Sequence, residues 1–205
     1  MTPILMTAVV ATANVVGASM AVPQARKLVR TRRIDGVSTL WAGSSGAMNA
    51  WWVAYGAGTE VWAVVPVSAI SLALYVTIAA VLLRELGRAA LPGLAVGILV
   101  VGVVPLPFLL AGGWASAGVV IGFGYGAQLA PAVIAALRTD QLAGISSGTW
   151  ILALLEAAMW LVYGMHVEDV ALLTGGAAGV LMASMILVRL AVTGHRPFRV
   201  AWATP

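Results

Sequence analysis

PQARKLVRTRRIDGVSTLWAGSSGAMNAWWVAYG, residues 23–56, and PAVIAALRTDQLAGISSGTWILALLEAAMWLVYG, residues 131–164, are one segment written twice. An ungapped offset of 108 puts Pro23 on Pro131, Arg30 and Thr31 on Arg138 and Thr139, and Gly36 and Ser38 on Gly144 and Ser146. The same offset puts Ala50 on Ala158, and Trp52, Tyr55 and Gly56 on Trp160, Tyr163 and Gly164. Nine of the 34 pairs are identical, and Val37/Ile145 and Thr39/Ser147 are close substitutes. A duplication at this spacing makes the fold a question about half a chain.

Composition assigns the solvent. With 61% hydrophobic residues, 9% charged residues and a mean hydropathy of +1.01, the chain is more apolar than soluble domains, which run at about 45–50%. It reads as an all-α integral membrane protein. At roughly 20 residues per spanning helix, 205 residues leave room for seven helices and short turns. Apolar runs predict spans at 4–24, 38–57, 61–83, 91–111, 115–137, 145–164 and 169–191. The fourth, interrupted by Pro105 and Pro107, is apolar all round and reads as a connector.

Orientation follows from the cations. Arg26, Lys27, Arg30, Arg32 and Arg33 follow the first span, Arg84 and Arg88 the third, Arg138 the fifth, and Arg189, Arg196 and Arg199 end or follow the seventh. The opposite loops carry Glu60, His166, Glu168 and Asp169 and no Lys or Arg, so the positive-inside rule puts the N-terminus outside and the C-terminus in the cytoplasm. The first fourteen residues hold no cation, so the first span is expected to stay as a helix and not act as a cleaved leader. Ten of the eleven cations are Arg in an Ala-, Gly- and Val-rich chain, a usage that fits a GC-rich bacterium and hence its plasma membrane. The offset pairs spans one to three with five to seven, and the odd fourth span restores direction. Two parallel three-helix bundles joined by a linker helix are therefore expected, related by an axis along the membrane normal. The units run 1–88, 89–113 for the linker and 114–193, followed by a cytoplasmic tail at 194–205.

Pro23-Gln24 near the end of the first span, a basic loop, Asp35-Gly36-Val37-Ser38 and Trp41 opening the second span, and Trp52 and Tyr55-Gly56 closing it together resemble the PQ-loop motif. The motif returns as Pro131, Gly144-Ile145-Ser146, Trp160 and Tyr163-Gly164, and the 3+1+3 layout over the whole chain is similar to the SWEET and PQ-loop transporter superfamily. That resemblance implies a facilitator or proton-coupled carrier of sugars, amino acids or vitamins working by alternating access. Pro23, Gln24 and Pro131 would be its hinge residues. Two departures stand out. Ala132 replaces the second motif's Gln, with Gln128 one turn earlier, and the asparagine that sugar carriers of the group place in spans three and seven is missing, Val65 and Leu173 lying near its expected positions. A sugar needs several hydroxyl partners in a buried site, so a less hydroxylated substrate is favoured.

Pro23 and Pro131 each remove a backbone hydrogen bond, and are read either as paired kinks or as helix ends. Gly17, Gly122, Gly124 and Gly126 are read as close-packing residues. Glu156 is the one ionisable residue placed well inside a span. An acid there normally faces a polar interior and marks a substrate or proton path, which makes it the proton-coupling candidate; the alternative is a carboxyl that staples helices. Helical spacing puts Glu156, Trp160 and Tyr163 on one face, and the offset puts Met48, Trp52 and Tyr55 on the matching face of span two, with Asn49 beside them. A pocket walled by Trp52 and Trp160, with Asn49 and Glu156 as polar contacts, would suit a flat or cationic solute. Tyr55 and Tyr163 are read as pocket walls or interfacial aromatics, and Trp41, Trp51, Trp62 and Trp114 as membrane anchors.

Other classes fail on residue content. The one lysine, Lys27, lies beside a loop, where it cannot hold a retinal, and His166 and His195 lie in a loop and a tail, away from any intramembrane nucleophile. No cysteine, phosphate-binding loop or cluster of metal ligands is present, so no enzyme activity, cofactor or metal is expected. The expected partners are a small-molecule substrate, the lipid bilayer and a coupled proton, with self-association left open and no nucleic acid. A ligand-sensing receptor or accessory membrane subunit on the same fold is the alternative function.

Overall fold

A computed structural model describes residues 2–32, 34, 37–138, 142 and 145–193; the side chains of residues 21, 23, 24, 27, 131 and 135 lie outside that description. The described residues are helical throughout, with no strand: α1 (Pro3–Thr31), α2 (Thr39–Gly58), a 3-10 turn (Trp62–Val64), α3 (Val65–Leu86), a second 3-10 turn (Gly87–Ala90), α4 (Leu91–Val103), α5 (Pro105–Arg138), α6 (Ser147–Val167) and α7 (Val170–Val192). Several are long and apolar enough to cross a membrane, an architecture compatible with a membrane-embedded protein.

Helix starts and stops follow local chemistry. The side chains of Thr2, Ser38, Ser146 and Asp169 accept the backbone N–H of Leu5, Trp41, Thr149 and Leu172, as N-caps do. The repeated Ser38 and Ser146 are thus repeated caps. Arg32 and Glu168 close α1 and α6 in left-handed conformation, their N–H groups bonded to Leu28 O and Gly164 O. α1 runs well past the expected end of the first span, taking Arg26 and Arg30 into the helix, because arginine is a good helix former and its long side chain reaches water from the last turns. Helix continues through residues 23 and 131 to Thr31 and Arg138, so neither proline ends its helix. The hinge candidates' side chains, the loop residues Arg33, Asp35, Gly36 and Gly144, and the tail with Arg196 and Arg199 lie outside the described residues.

The connector is broken twice. α4 stops at Val103 because Pro105 brings no N–H to continue the ladder. α5 is interrupted at Gly113, whose φ of 64° and ψ of −161° belong to a region that residues with a Cβ avoid.

Packing repeats with the sequence. α3 packs on both α1 and α2, and α7 on both α5 and α6; α1 meets α6, and α2 meets α5, the equivalent pair under the offset. The offset also maps one buried cluster onto another. Ala25, Leu28, Ala42, Ile78 and Leu82 correspond to Val133, Ala136, Trp150, Ile186 and Leu190, with Ile34 and Val37 against Leu142 and Ile145. Even the loop turns match, Val37 N bonding Ile34 O at 3.0 Å and Ile145 N bonding Leu142 O at 2.9 Å. The exception has a cause. α4 packs on α2, placing Ala90 and Leu94 beside Ala42, and on α6 the same position carries Trp150, whose ring supplies bulk that no helix brings.

One joint differs between the halves. Asn14 Nδ2 donates to Ala63 O at 3.0 Å, and its Oδ1 accepts from Val67 N at 2.8 Å, so one amide bridges α1 to the start of α3. The offset places Gly122 where Asn14 stands, and a Cβ on Gly122 would lie 2.6 Å from Ala171 O and 2.9 Å from Gly175 N, the counterparts of the atoms Asn14 bridges. The first half joins these helices with a directional amide, the second by direct backbone approach.

Candidate functional site

A cavity of about 650 Å³ lies where the two sets of three helices meet. Its walls obey the offset: Gly17 and Tyr125, Met20 and Gln128, Trp41 and Thr149, Met48 and Glu156, Asn49 and Ala157, Trp52 and Trp160 all line it as equivalent pairs. So do Val64 and Leu172, Val67 and Gly175, and Ser68 and Gly176. All four residues expected in a pocket, Asn49, Trp52, Glu156 and Trp160, are lining residues of this one cavity.

The pairs are geometrically alike and chemically unequal. Trp52 and Trp160 each stand edge to face with the tyrosine three residues on, centroids 6.0 and 6.2 Å apart. Met48, in contrast, faces Glu156. α3 contributes Ser68, Ser71 and Tyr75, spaced three and four residues apart on one face, where the corresponding positions of α7 are Gly176, Gly179 and Ala183. Tyr125 lies over Gly179, where a Cβ would come within 3.0 Å of the ring, so that ring occupies the room α7's small residues leave.

Glu156 is 8% exposed. Its Oε1 accepts from Trp160 Nε1 at 3.4 Å, a long bond made to the next turn of α6. Across the α1–α6 contact its carboxyl sits on Gly17. A Cβ there would lie 2.9 Å from Glu156 Cδ and 2.8 Å from Val67 Cγ2, and closer still to Glu156 Oε1. Gly17 therefore does more than bring two helices together: its missing side chain is the space the carboxyl occupies. The stapling alternative also finds no hydroxyl partner, since the one hydrogen bond to the carboxyl among the described residues comes from Trp160.

A second polar group joins the halves. Gln128 Nε2 on α5 donates to Ser45 Oγ on α2, and Ser45 is fully buried. Asn49 Nδ2 donates to Ser45 O at 2.9 Å, which leaves the Asn49 carbonyl as its acceptor. Ser45, Ser68, Ser71, Tyr75, Tyr125 and Gln128 were not picked out from sequence as site residues. They answer the objection to a hydroxylated ligand: the hydroxyl and amide partners lie on α2, α3 and α5, and not at Val65 and Leu173, which do not line this cavity.

The cavity's two ends differ. Ser38, Trp41 and Thr149 are exposed lining residues at the start of α2 and α6, whereas Val64 and Leu172 at the other end are 3% and 2% exposed. Beyond those two, Tyr55 OH donates to Asp169 Oδ2 at 2.7 Å, tying the end of α2 to the first turn of α7. Trp114 stands edge to face on Tyr55, centroids 6.0 Å apart. Tyr55 is thus not among the residues lining this cavity; it is 5% exposed and bonded. Trp41 lines the cavity and meets Tyr75 edge to face at 5.1 Å, and Trp51 Nε1 donates to Gly102 O at 3.1 Å, linking α2 to α4. Of the four expected anchors, Trp62 is 61% and Trp41 38% exposed. No protein-family model matches the chain, and a search of curated proteins finds no significant match.

Proposed function

We propose that the chain is a carrier of a small organic solute, built as seven spans in a 3+1+3 arrangement, that moves its substrate by alternating access through the cavity between the halves. The observation that carries this reading is the cavity itself: large enough for a metabolite, lined by equivalent residues from both halves, and closed at one end by the Tyr55–Asp169 bond. Two similar bundles meeting at a shared site are what rocking about that site requires. The Gly113 break supports a boundary between the linker and the second unit at 114. In this reading Asn49, Trp52, Glu156 and Trp160 contact the solute, Pro23, Gln24 and Pro131 form the hinges, and Glu156 carries a coupled proton.

The charges support an orientation with the Ser38 and Thr149 end toward the cytoplasm of a bacterial plasma membrane. Arg32 pairs with Glu85 at 3.0 Å, holding the basic ends of α1 and α3 side by side, while Asp169 lies at the closed end. Single cysteines at Glu60 and Arg138, in a chain with no other cysteine, are expected to react with an impermeant maleimide from opposite faces; reaction from the same face ends this topology.

Flux into proteoliposomes containing the purified protein tests the carrier reading, and binding without flux would sink it in favour of a receptor. Glu156→Gln is expected to abolish accumulation driven by a pH gradient while exchange continues. Unchanged gradient dependence removes Glu156 from the proton path.

A further inference from the structure

Resting on the cavity assigned above to solute binding, we propose that its ligand carries an ammonium group, seated between Trp52 and Trp160 with Glu156 as its counter-charge. Among the described residues lining the cavity, Glu156 alone bears a formal charge, and no Lys, Arg or His lines it. The carboxyl is nearly buried and held by one long hydrogen bond from an indole N–H, and among the described residues no fully buried side-chain oxygen lacks a partner. The oxygen not bonded to Trp160 is therefore not fully buried, on a residue that lines the cavity.

The alternatives differ in what they do to that carboxylate. An anion entering would face a like charge in a desolvated site. A neutral polyol would find hydroxyl partners on α3 yet leave the carboxylate uncompensated, so that Glu156 would have to take up a proton to stay buried. An ammonium compensates it, and the aromatic lining adds its own attraction: Trp52, Trp160, Tyr75 and Tyr125 all line the cavity, and aromatic rings favour a cation over an uncharged group of the same shape. The duplication sharpens the point. The position equivalent to Glu156 is Met48, so the site holds one negative charge, off the axis of its symmetric walls, and suits a ligand with one cationic end. Ser68, Ser71, Gln128 and the Asn49 carbonyl then serve a polar remainder.

Two isosteric pairs isolate the charge: choline against dimethylbutanol, in which carbon replaces the quaternary nitrogen, and tyramine against para-propylphenol. Titrated into the purified full chain and read by tryptophan fluorescence, the charged member of at least one pair is expected to bind about tenfold or more tightly than its isostere. Glu156→Gln lowers that ratio several-fold with its thermal midpoint kept, leaving only what the aromatic walls supply, and Glu156→Asp retains more of it. Equal binding within both pairs overturns the proposal, as does a preference undiminished in Glu156→Gln, or a failure of both cations to bind where glucose does. The carrier reading fails separately. Choline or tyramine bound with charge preference but never moved across proteoliposomes leaves the ammonium site standing, and flux of a neutral solute without any such preference leaves only the carrier.

Discussion

Gly17→Leu is expected to abolish solute flux in proteoliposomes while the protein still purifies as a folded, monodisperse species. The reasoning starts from the space a Cβ would need. At Gly17 it would fall 2.9 Å from Glu156 Cδ and 2.8 Å from Val67 Cγ2. Val67 is β-branched and stiff; the Glu156 carboxyl is the tip of a flexible side chain and yields first. Even Gly17→Ala therefore swings the carboxyl away from Trp160 Nε1 and lowers flux about tenfold or more. Its net stability cost is about 0–2.5 kcal/mol, since helix propensity gains about 0.5–1 kcal/mol against about 1–3 kcal/mol lost to overpacking. Leucine at the same place also fills the cavity. A leucine variant with ordinary flux would show that the carboxyl's seat on α1 is irrelevant to transport.

Tyr55→Phe is expected to open the closed end. The Tyr55–Asp169 bond, 2.7 Å from a phenol to a carboxylate, is charge-assisted and contributes about 1.5–3 kcal/mol. At 1.4 kcal/mol per factor of ten, its loss shifts the balance of conformations about ten- to a hundredfold toward one open at that end. The measurement is the rate at which a cysteine placed at Ala153, on the cavity wall, reacts with an impermeant thiol reagent from the outer face. Tyr55→Phe raises that rate and leaves the fold intact. Asp169→Ala raises it as well and also costs about 1 kcal/mol of stability, because Asp169 Oδ1 caps α7 by accepting Leu172 N at 2.8 Å. If Tyr55→Phe leaves the rate unchanged, the bond is not what holds that end shut.

How legible the molecule was depended on how each residue announces itself. The long apolar helices were visible as composition, and the internal symmetry as nine identities, several of which have turned out to mark structural roles: Ser38 and Ser146 cap, Trp52 and Trp160 wall the cavity. The repeated Gly56 and Gly164 lie where a Cβ would come within 2.8 Å of Val64 Cγ2 and of Leu172 Cβ. Glu156 stood out because an acid in an apolar run is rare. Ser68, Ser71 and Tyr75 did not, since a serine in a membrane helix is ordinary and a stripe of three becomes a wall only when its face is known to point inward. Their spacing was available as a signal. The cross-helix contacts of Trp41 and Trp51 were missed for a related reason: a tryptophan near a span end reads as an anchor, and nothing beside it in the chain tells that a ring or a carbonyl of another helix will meet it. The early end given to the first span reflects the habit of stopping a helix where charge begins, which arginine does not obey.

The bridge that Asn14 makes to Ala63 and Val67 bears on the order in which the protein can be made. Within α1 the Asn14 Nδ2 already has Val10 O at 2.9 Å, but its Oδ1 needs Val67 N, from which it accepts, and α1 leaves the ribosome before that residue. Once the start of α3 follows, that need draws the two helices together and fixes their register while α5 to α7 are still unsynthesised. The second half carries glycine at the equivalent place and makes no such bridge. The older-looking symmetry of the chain thus conceals a template and a follower.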